Sequence, residues 1–203
     1  MISRRGLLSG LAGGALISTL PGNSSRAATI GDDGLHKQPW FIDSFLDMSD
    51  DLATAADNGK RFAVMIEQRG CPYCREMHEV NLAIEPIAEY VRDNFDVLQL
   101  DMWGSREVTD FDGEAKEERA MIQRWQVNFT PTIMFFPADP AEAEGKTGRQ
   151  AEVARMPGYF KPFHFLSMFE FVNEELYKEQ TFQRYLQDKF ARYQAEGKDP
   201  QVW

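Results

Sequence analysis

The fold of this chain is predicted most directly from residues 62–74, which read FAVMIEQRGCPYC. The first five are a continuous apolar run, and such a run suits a strand that is buried on both faces of a sheet. A short polar turn ending in Gly70 follows, and Pro72 favours the first turn of a helix. The stretch therefore predicts a buried strand that leads through a turn into a helix beginning at the cysteine pair.

Cys71 and Cys74 are the only cysteines among the 203 residues. A pair this close cannot join distant parts of a fold, but it suits one thiol that attacks a disulfide and a second that resolves the product. A structural zinc site normally takes four ligands, and the chain has no second cysteine pair to supply them. We therefore expect a redox-active Cys71–Cys74 disulfide, with no metal and no organic cofactor. A purely structural disulfide is the alternative.

The first 27 residues read as an export signal. Arg4 and Arg5 precede an apolar run over residues 6–20, and a small-x-small cleavage pattern ends at Ala27. The run is too short and too rich in glycine for a membrane span, which takes about 20 apolar residues. The two arginines resemble a twin-arginine signal, and an ordinary secretory signal is the alternative. Both routes predict a periplasmic protein, and a membrane-tethered form is a lesser alternative.

The formal net charge of the chain is −10. Cleavage after Ala27 would remove three arginines and change it to −13. A protein this acidic is a poor candidate for binding nucleic acid or anionic lipid, so neither is expected as a partner. Exported proteins often use disulfides as structural links, but this chain has no cysteines to spare for that purpose.

Hydrophobic periodicity predicts alternating strands and helices along the rest of the chain. Strands are predicted at residues 62–66, 96–102, 132–136 and 151–156, and helices at residues 44–58, 72–94, 114–125 and 162–194. Pro86 should kink or divide the second of these helices, and Asp112 should cap the third. This order is typical of a mixed α/β domain.

A buried strand that ends just before Cys71-Pro72-Tyr73-Cys74, with Thr130-Pro131-Thr132 opening a later strand, resembles the thioredoxin superfamily. Residues 67–78, 101–113 and 127–136 are similar to the exported thioredoxin-like proteins of bacterial sulfur-oxidation operons, usually called SoxW. The resemblance implies a thioredoxin fold, with a mixed central β-sheet flanked by helices and with N-terminal and C-terminal helical extensions. The predicted division is an export signal (1–27), a lead-in with one helix (28–60), a thioredoxin-like domain (61–178) and a C-terminal helical extension (179–203).

Cys71 is the predicted nucleophile, because free amide N–H groups and the helix dipole at a helix N-terminus stabilise a thiolate. Cys74, one turn further into the helix, is predicted to be less exposed and to resolve the mixed disulfide. Pro72 and Tyr73 resemble the pair found in glutaredoxins, and we expect them to tune the redox potential and to contact the client. They leave the direction of electron transfer open.

Release of the proton from Cys74 calls for a nearby acceptor. Ordinary thioredoxins place a buried aspartate six residues before the first cysteine, and Met65 occupies that position here. Glu67 is the nearest substitute, and a solvated carboxylate in the turn is its alternative interpretation. His78 shares a helix face with Cys74, and it is interpreted as a hydrogen-bonded helix histidine. The alternatives are that it tunes the site or completes a weak metal site.

Thr130 and Pro131 are assigned to client binding by the resemblance. It implies a cis Pro131 opposite the cysteines, with the Thr130 backbone accepting an extended client peptide as an added strand. Cis bonds make up only about 5–6% of X–Pro bonds in general. The alternative is therefore a trans proline that begins a strand.

These features predict a periplasmic thiol–disulfide oxidoreductase that reduces protein disulfides. The resemblance implies clients among sulfur-oxidation carrier proteins or cytochrome c maturation factors, and a membrane thiol transporter of the CcdA or DsbD type as electron donor. An oxidase or isomerase using the same cysteines is the first alternative. A non-catalytic metal chaperone or adaptor with a thioredoxin fold is the second.

Overall fold

The computed structural model describes residues 28–199, so the predicted export signal lies outside the described residues. The strands are Thr29–Ile30 (β1), His36–Lys37 (β2), Arg61–Glu67 (β3), Phe95–Asp101 (β4), Glu107–Thr109 (β5), Ala115–Glu117 (β6), Thr132–Phe135 (β7) and Ala154–Pro157 (β8). The α-helices are Met48–Asp57 (α1), Pro72–Glu76 (α2), Glu85–Asn94 (α3), Glu118–Arg124 (α4), Gly148–Ala151 (α5), Pro162–Asn173 (α6) and Phe182–Ala195 (α7). A π-helix spans Met77–Asn81, and 3₁₀ turns span Pro140–Glu142 and Leu176–Lys178. None of the helices between residues 28 and 199 is long and apolar enough to cross a membrane.

The central sheet has the strand order β4-β3-β7-β8. β3 and β4 are parallel, whereas β3–β7 and β7–β8 are antiparallel. Successive side chains of β3 alternate between two hydrophobic clusters, with Phe62, Val64 and Ile66 in one and Ala63 and Met65 in the other. This alternation follows from the two-residue period of a strand. The predicted mixed α/β architecture is confirmed.

The two clusters hold the helices against opposite faces of the sheet. α1 and α4 contribute to the cluster that contains the buried Trp125, and α3 and α6 contribute to the other. In the second cluster the rings of Phe95, Phe135 and Phe169 pack edge to face, with centroids 4.8–6.0 Å apart. Burying each such side chain stabilises the fold by about 1.5–3 kcal/mol. This packing fixes β3, and with β3 the strand end that leads to the cysteines.

Pro86 divides the second predicted helix, as expected. α2 ends at Glu76, the π-helix follows, and α3 begins again at Glu85. Pro86 lies in the first turn of α3, where its missing N–H is not required by the helix. The predicted helix is therefore divided by a short turn at residues 82–84. α2 and the π-helix lie before the turn, and α3 lies after it.

The helix predicted at residues 114–125 is wrong in its first turn. Residues up to Glu117 form the β5–β6 hairpin, and α4 begins at Glu118. Gly113 has a φ of +81°, a conformation that favours glycine and turns the chain. Asp112 accepts a hydrogen bond from the Glu114 amide at 3.2 Å. It therefore stabilises the hairpin turn and does not cap the helix.

Asp110 anchors the hairpin to the rest of the domain. Its carboxylate accepts hydrogen bonds from the Gly148 amide at 2.8 Å, from the Trp125 indole at 2.9 Å and from the Phe111 amide at 3.0 Å. The Arg124 guanidinium donates a fourth bond at 2.8 Å. Burial raises the pKa of Asp110, and these four donors act against that effect.

The C-terminal segment is two helices rather than the single helix predicted over residues 162–194. α6 ends at Asn173, and α7 packs back on α6 through the buried Lys189. The Lys189 ammonium donates to the Ser167 hydroxyl at 2.9 Å and to Glu170. It also lies 5.0 Å from the ring centroid of Phe163. α7 is therefore held by a buried charge as well as by apolar contacts.

The segment before α1 runs along the edge of the sheet. The Ile42 amide donates to the Val97 carbonyl at 3.0 Å, and Ile42 forms a parallel bridge with Leu98 of β4. Nearer the cysteines, the Arg69 guanidinium donates twice to the Asp33 carbonyl, at 3.0 and 3.1 Å. The segment therefore covers part of an otherwise unpaired strand edge.

Candidate functional site

The two cysteines form a disulfide at the beginning of α2, just beyond the end of β3. Cys71 is the N-cap residue, and its Sγ accepts a hydrogen bond from the Cys74 amide at 3.0 Å. Pro72 occupies the first helical turn, where no N–H is needed. The local sequence therefore places Sγ of Cys71 beside the free amide N–H groups at the N-terminus of α2.

The two sulfurs have different surroundings. Cys71 is 7% exposed and Cys74 is 2% exposed. The Thr130 hydroxyl donates to Sγ of Cys71 at 3.4 Å, which adds an O–H donor to the amide. Donors aimed at a sulfur stabilise its thiolate. A thiolate at Cys71 is therefore stabilised, and Cys74 is the less exposed of the two sulfurs.

The loop before β7 meets the disulfide from the opposite side. The peptide bond between Thr130 and Pro131 is cis, as the resemblance predicts. The Pro131 carbonyl accepts a hydrogen bond from the Gly158 amide at 2.8 Å, which links this loop to the end of β8. The contact between the Thr130 hydroxyl and Sγ of Cys71 places this loop, which includes Pro131, beside the disulfide.

Exposed aromatic side chains flank the disulfide. Tyr73 is 58% exposed, and its ring stacks on Tyr159 with centroids 6.2 Å apart. The Tyr159 hydroxyl donates to Asn81 Oδ1 at 3.1 Å, so the π-helix holds this ring in place. Phe129, just before Thr130, is 53% exposed. Sequence reasoning missed Tyr159 and Phe129, because isolated aromatics in loops carry no pattern.

Glu67 is buried, so its interpretation as a solvated carboxylate in the turn is wrong. It is the last residue of β3 and is 1% exposed. His78 Nε2 lies 3.2 Å from Oε1 and 3.0 Å from Oε2 of Glu67, and Gln99 Nε2 also donates to Oε2. The interpretation of His78 as a hydrogen-bonded helix histidine is confirmed. The role of Glu67 as a proton acceptor stays a prediction.

The segment before α1 closes the other side of His78. Gln38 Nε2 lies 3.1 Å from His78 Nδ1, and His36 stacks on the imidazole with ring centroids 5.7 Å apart. The ring of Phe41 also lies 5.7 Å from that of His78. His78 belongs to the π-helix, an element that often occurs at functional sites. Because Nδ1 contacts Gln38 and Nε2 contacts Glu67, both ring nitrogens of His78 have hydrogen-bond partners inside the protein.

Met65 lies in the apolar cluster beneath the site. It is 1% exposed and packs with residues such as Met77 and Ile133. The position at which ordinary thioredoxins carry an acid is therefore an apolar core position here. Across residues 28–199, no group of three or more His, Cys, Asp and Glu side chains could hold a metal ion.

Residues 48–173 match the model of a protein family described as a thioredoxin-like domain. This match confirms the predicted thioredoxin fold. Similar solved structures include a thioredoxin-fold protein from Helicobacter pylori, which is 20% identical, covers 67% of this chain and 83% of its own, and has a TM-score of 0.48. A thioredoxin from Thermus thermophilus is 22% identical, covers 62% of this chain and 83% of its own, and has a TM-score of 0.46. Among curated proteins, no sequence matches the chain.

Proposed function

The chain belongs to the thioredoxin-like domain family, and on that premise we propose that it is a thiol–disulfide oxidoreductase that reduces disulfides in client proteins. One observation carries the proposal. The Cys71–Cys74 disulfide begins a helix, and Sγ of Cys71 receives both an amide N–H and the Thr130 hydroxyl. Such donors stabilise the thiolate that attacks a disulfide.

The proposed cycle transfers two electrons from the protein to the client. The Cys71 thiolate attacks one sulfur of the client disulfide, and the other client sulfur leaves as a thiolate. Cys74 then attacks Sγ of Cys71, which releases the second client sulfur and forms the Cys71–Cys74 disulfide. A separate reductant must open that disulfide before the next cycle.

Client binding is assigned to the surface around the disulfide. An extended client segment would pair with the backbone at Thr130 beside the cis Pro131, in the manner of an added strand. Pro72 and the exposed Tyr73 would contact the same segment from the helix side. The Tyr73–Tyr159 stack supports this assignment, because exposed aromatic rings bury much area with little loss of conformational freedom.

We assign the protein to the bacterial periplasm and to the SoxW type of thioredoxin-like protein. The signal-like first 27 residues and the similarity over residues 67–78, 101–113 and 127–136 support this assignment. A membrane thiol transporter of the CcdA or DsbD type would supply the electrons. Carrier proteins of sulfur oxidation or cytochrome c maturation factors would be the clients.

The direction of transfer is tested by the reduction potential. Equilibration of the Cys71–Cys74 pair with glutathione should give a potential well below about −130 mV, since reductants of this superfamily lie nearer −270 mV. The protein should also accelerate insulin reduction by dithiothreitol. A potential near or above about −130 mV would reassign the protein to disulfide formation, and one near about −180 mV would reassign it to isomerisation.

Trapping tests the nucleophile and finds the clients. The variant Cys74→Ala cannot resolve the mixed disulfide, so clients should accumulate as complexes linked to Cys71, separable on non-reducing gels. The variant Cys71→Ser is the matched control and should trap nothing. If Cys74→Ala also accumulates no mixed disulfide, the assignment of Cys71 as nucleophile is wrong.

A further inference from the structure

We propose that a groove at the opposite end of the sheet from the disulfide binds a basic segment of a partner protein, and that this segment also carries an apolar side chain. The groove has a volume of about 630 Å³ and is lined by residues 42–45, by one face of α1 and by Asp96 at the start of β4. We call it the Phe45 groove, after the aromatic side chain at its rim. Binding there is separate from the proposed thiol–disulfide exchange.

The register of the sheet places the Phe45 groove away from the cysteines. β3 and β4 are parallel, and Glu67, the residue of β3 nearest the cysteines, lies beside Asp101. Asp96 lies five residues earlier on β4, which is about 16 Å along a strand. A partner held in the groove therefore does not need to cover the disulfide.

The Phe45 groove carries a dense negative charge. Asp96 is paired with Lys60 at 3.1 Å and accepts from the Asn58 amide at 3.3 Å. The other five aspartates of the groove have no lysine, arginine or histidine within ion-pair distance in the part of the chain that the structure describes. They are Asp43, Asp47, Asp50, Asp51 and Asp57. Because like charges repel at short range, cationic side chains of a partner would relieve unfavourable interactions here.

Phe45 gives the groove an apolar anchor. Its side chain is fully exposed, whereas the next residue, Leu46, is buried in the cluster that contains Trp125. Leu46 has a φ of +64°. Its amide donates to the Ser44 hydroxyl at 2.7 Å, and its carbonyl accepts from the Thr109 amide at 2.9 Å. The backbone beside Phe45 is therefore held on the domain while the ring points to solvent, as anchor residues of interfaces do.

The charge and the ring together define the partner. Lysine or arginine side chains complement the aspartates, and an aliphatic side chain between them packs on Phe45. Anionic lipid and nucleic acid are repelled. A two-fold contact between copies of this chain would set the same aspartates against each other. The charge is also spread along the groove, since no group of three or more acidic, histidine or cysteine side chains between residues 28 and 199 could hold a metal ion.

A second cavity marks one end of the basic-binding part. It has a volume of about 320 Å³, shares residues 42–44 with the Phe45 groove and continues along β4 to Gln99. Its lining includes Lys37 and Arg106, each paired with a carboxylate of this chain. These cations have no attraction for a basic segment. The bound segment should therefore lie beside α1 and end near Asp43.

A labelled peptide tests the charge and the apolar requirement. The probe is a fluorescein-labelled peptide of about eight residues, with lysine at every second position, leucine at the centre and serine elsewhere. Fluorescence anisotropy should show saturable binding at about 50 mM NaCl, and about 500 mM NaCl should weaken it at least fivefold. The same peptide with glutamate in place of lysine should not bind.

Matched variants assign the binding to the groove. Phe45→Ala should weaken the lysine peptide at least fivefold, and the triple variant Asp43→Asn, Asp50→Asn and Asp57→Asn should weaken it at least tenfold. Ile30→Ala removes an exposed apolar side chain elsewhere and should stay within about twofold. A control triple makes the same change of charge at exposed carboxylates outside the groove: Glu89→Gln, Glu174→Gln and Glu179→Gln.

Amide chemical-shift mapping gives the location directly. The lysine peptide should shift residues 42–57 and leave residues 71–74 and 129–131 unchanged. Cys71→Ser should bind the peptide equally well, and Phe45→Ala should keep the unmodified rate of insulin reduction, so this proposal and the proposed function fail separately. Absence of binding, shifts confined to the cysteine pair, or equal losses in the two triple variants would overturn the proposal. A dimer that Phe45→Ala dissociates in sedimentation would also overturn it, because the groove would then hold a second copy of the chain.

Discussion

Asp51, in the first turn of α1, offers a test of how burial and neighbouring charges affect the stability of the fold. Its carboxylate accepts a hydrogen bond from the Ser44 hydroxyl at 2.6 Å. Burial raises its pKa from 3.8 to about 6, and the negative charges of Asp47, Asp50 and Asp96 act in the same direction. The folded protein must therefore hold this group as an anion at neutral pH against its surroundings. The substitution Asp51→Asn removes the charge and keeps an oxygen that can accept from Ser44.

The sign of the effect follows from the two pKa values. In the unfolded chain Asp51 ionises near 3.8, and in the folded protein near 6. Its protonation therefore stabilises the fold below pH 3.8, and that contribution is lost as the pH rises through about 6. The full difference would be worth about 3 kcal/mol. Because Asp51 keeps partial contact with water, we discount this to about 1–1.5 kcal/mol.

Urea-induced unfolding at about pH 3 and pH 7.5, followed by tryptophan fluorescence, measures the effect. Asp51→Asn should be more stable than the unmodified protein by about 1 kcal/mol at pH 7.5 and nearly equal to it at about pH 3, below the unfolded pKa. The exposed Asp57, at the end of the same helix, supplies the control. Asp57→Asn removes an exposed carboxylate from the same helix and should change the free energy of unfolding by less than about 0.5 kcal/mol at pH 7.5. An equal effect of Asp51→Asn at the two pH values would refute the argument.

Two predictions concern buried charges elsewhere. Asp110→Ala leaves three donors without an acceptor, the Trp125 indole and two backbone amides, while Arg124 keeps Asp112, and it should lower the free energy of unfolding by about 3–5 kcal/mol. Urea titration measures this loss, and a loss below about 1 kcal/mol would contradict the role of Asp110 as an anchor. Lys189→Met should loosen α7 by leaving Glu170 without its cation, so amide hydrogen exchange should accelerate in residues 182–195 but not in the central sheet. Equal acceleration in the sheet would show that α7 is not a separate unit.

The sequence predicted the centre of the fold well because the signals there are local. A five-residue apolar run, a proline at a helix start and an adjacent cysteine pair all act within residues 62–74. The division at Pro86 follows from the same kind of rule, since proline lacks the N–H that a helix interior requires. The hairpin at residues 107–117 was missed because a single glycine with positive φ, Gly113, outweighs the helical pattern that follows it.

The surroundings of Glu67 could not be predicted from its neighbours in sequence. Its burial depends on His78 and on Gln99, which lie 11 and 32 residues away along the chain. Gln38 and His36 add contacts from a segment without clear periodicity. A polar residue after an apolar strand normally indicates a turn, and only the tertiary structure shows that this carboxylate has partners.

The N-terminal segment, residues 36–41, has to be included in any part of this chain that is moved into another protein as a redox-active domain. The family model begins at Met48, yet the side chains that shield His78 from water come from residues 36–41. Grafting residues 48–173 into another protein would carry the cysteines along but leave the imidazole and Glu67 open to solvent. The smallest portable unit of this chain therefore begins near Leu35, upstream of the part that sequence similarity recognises.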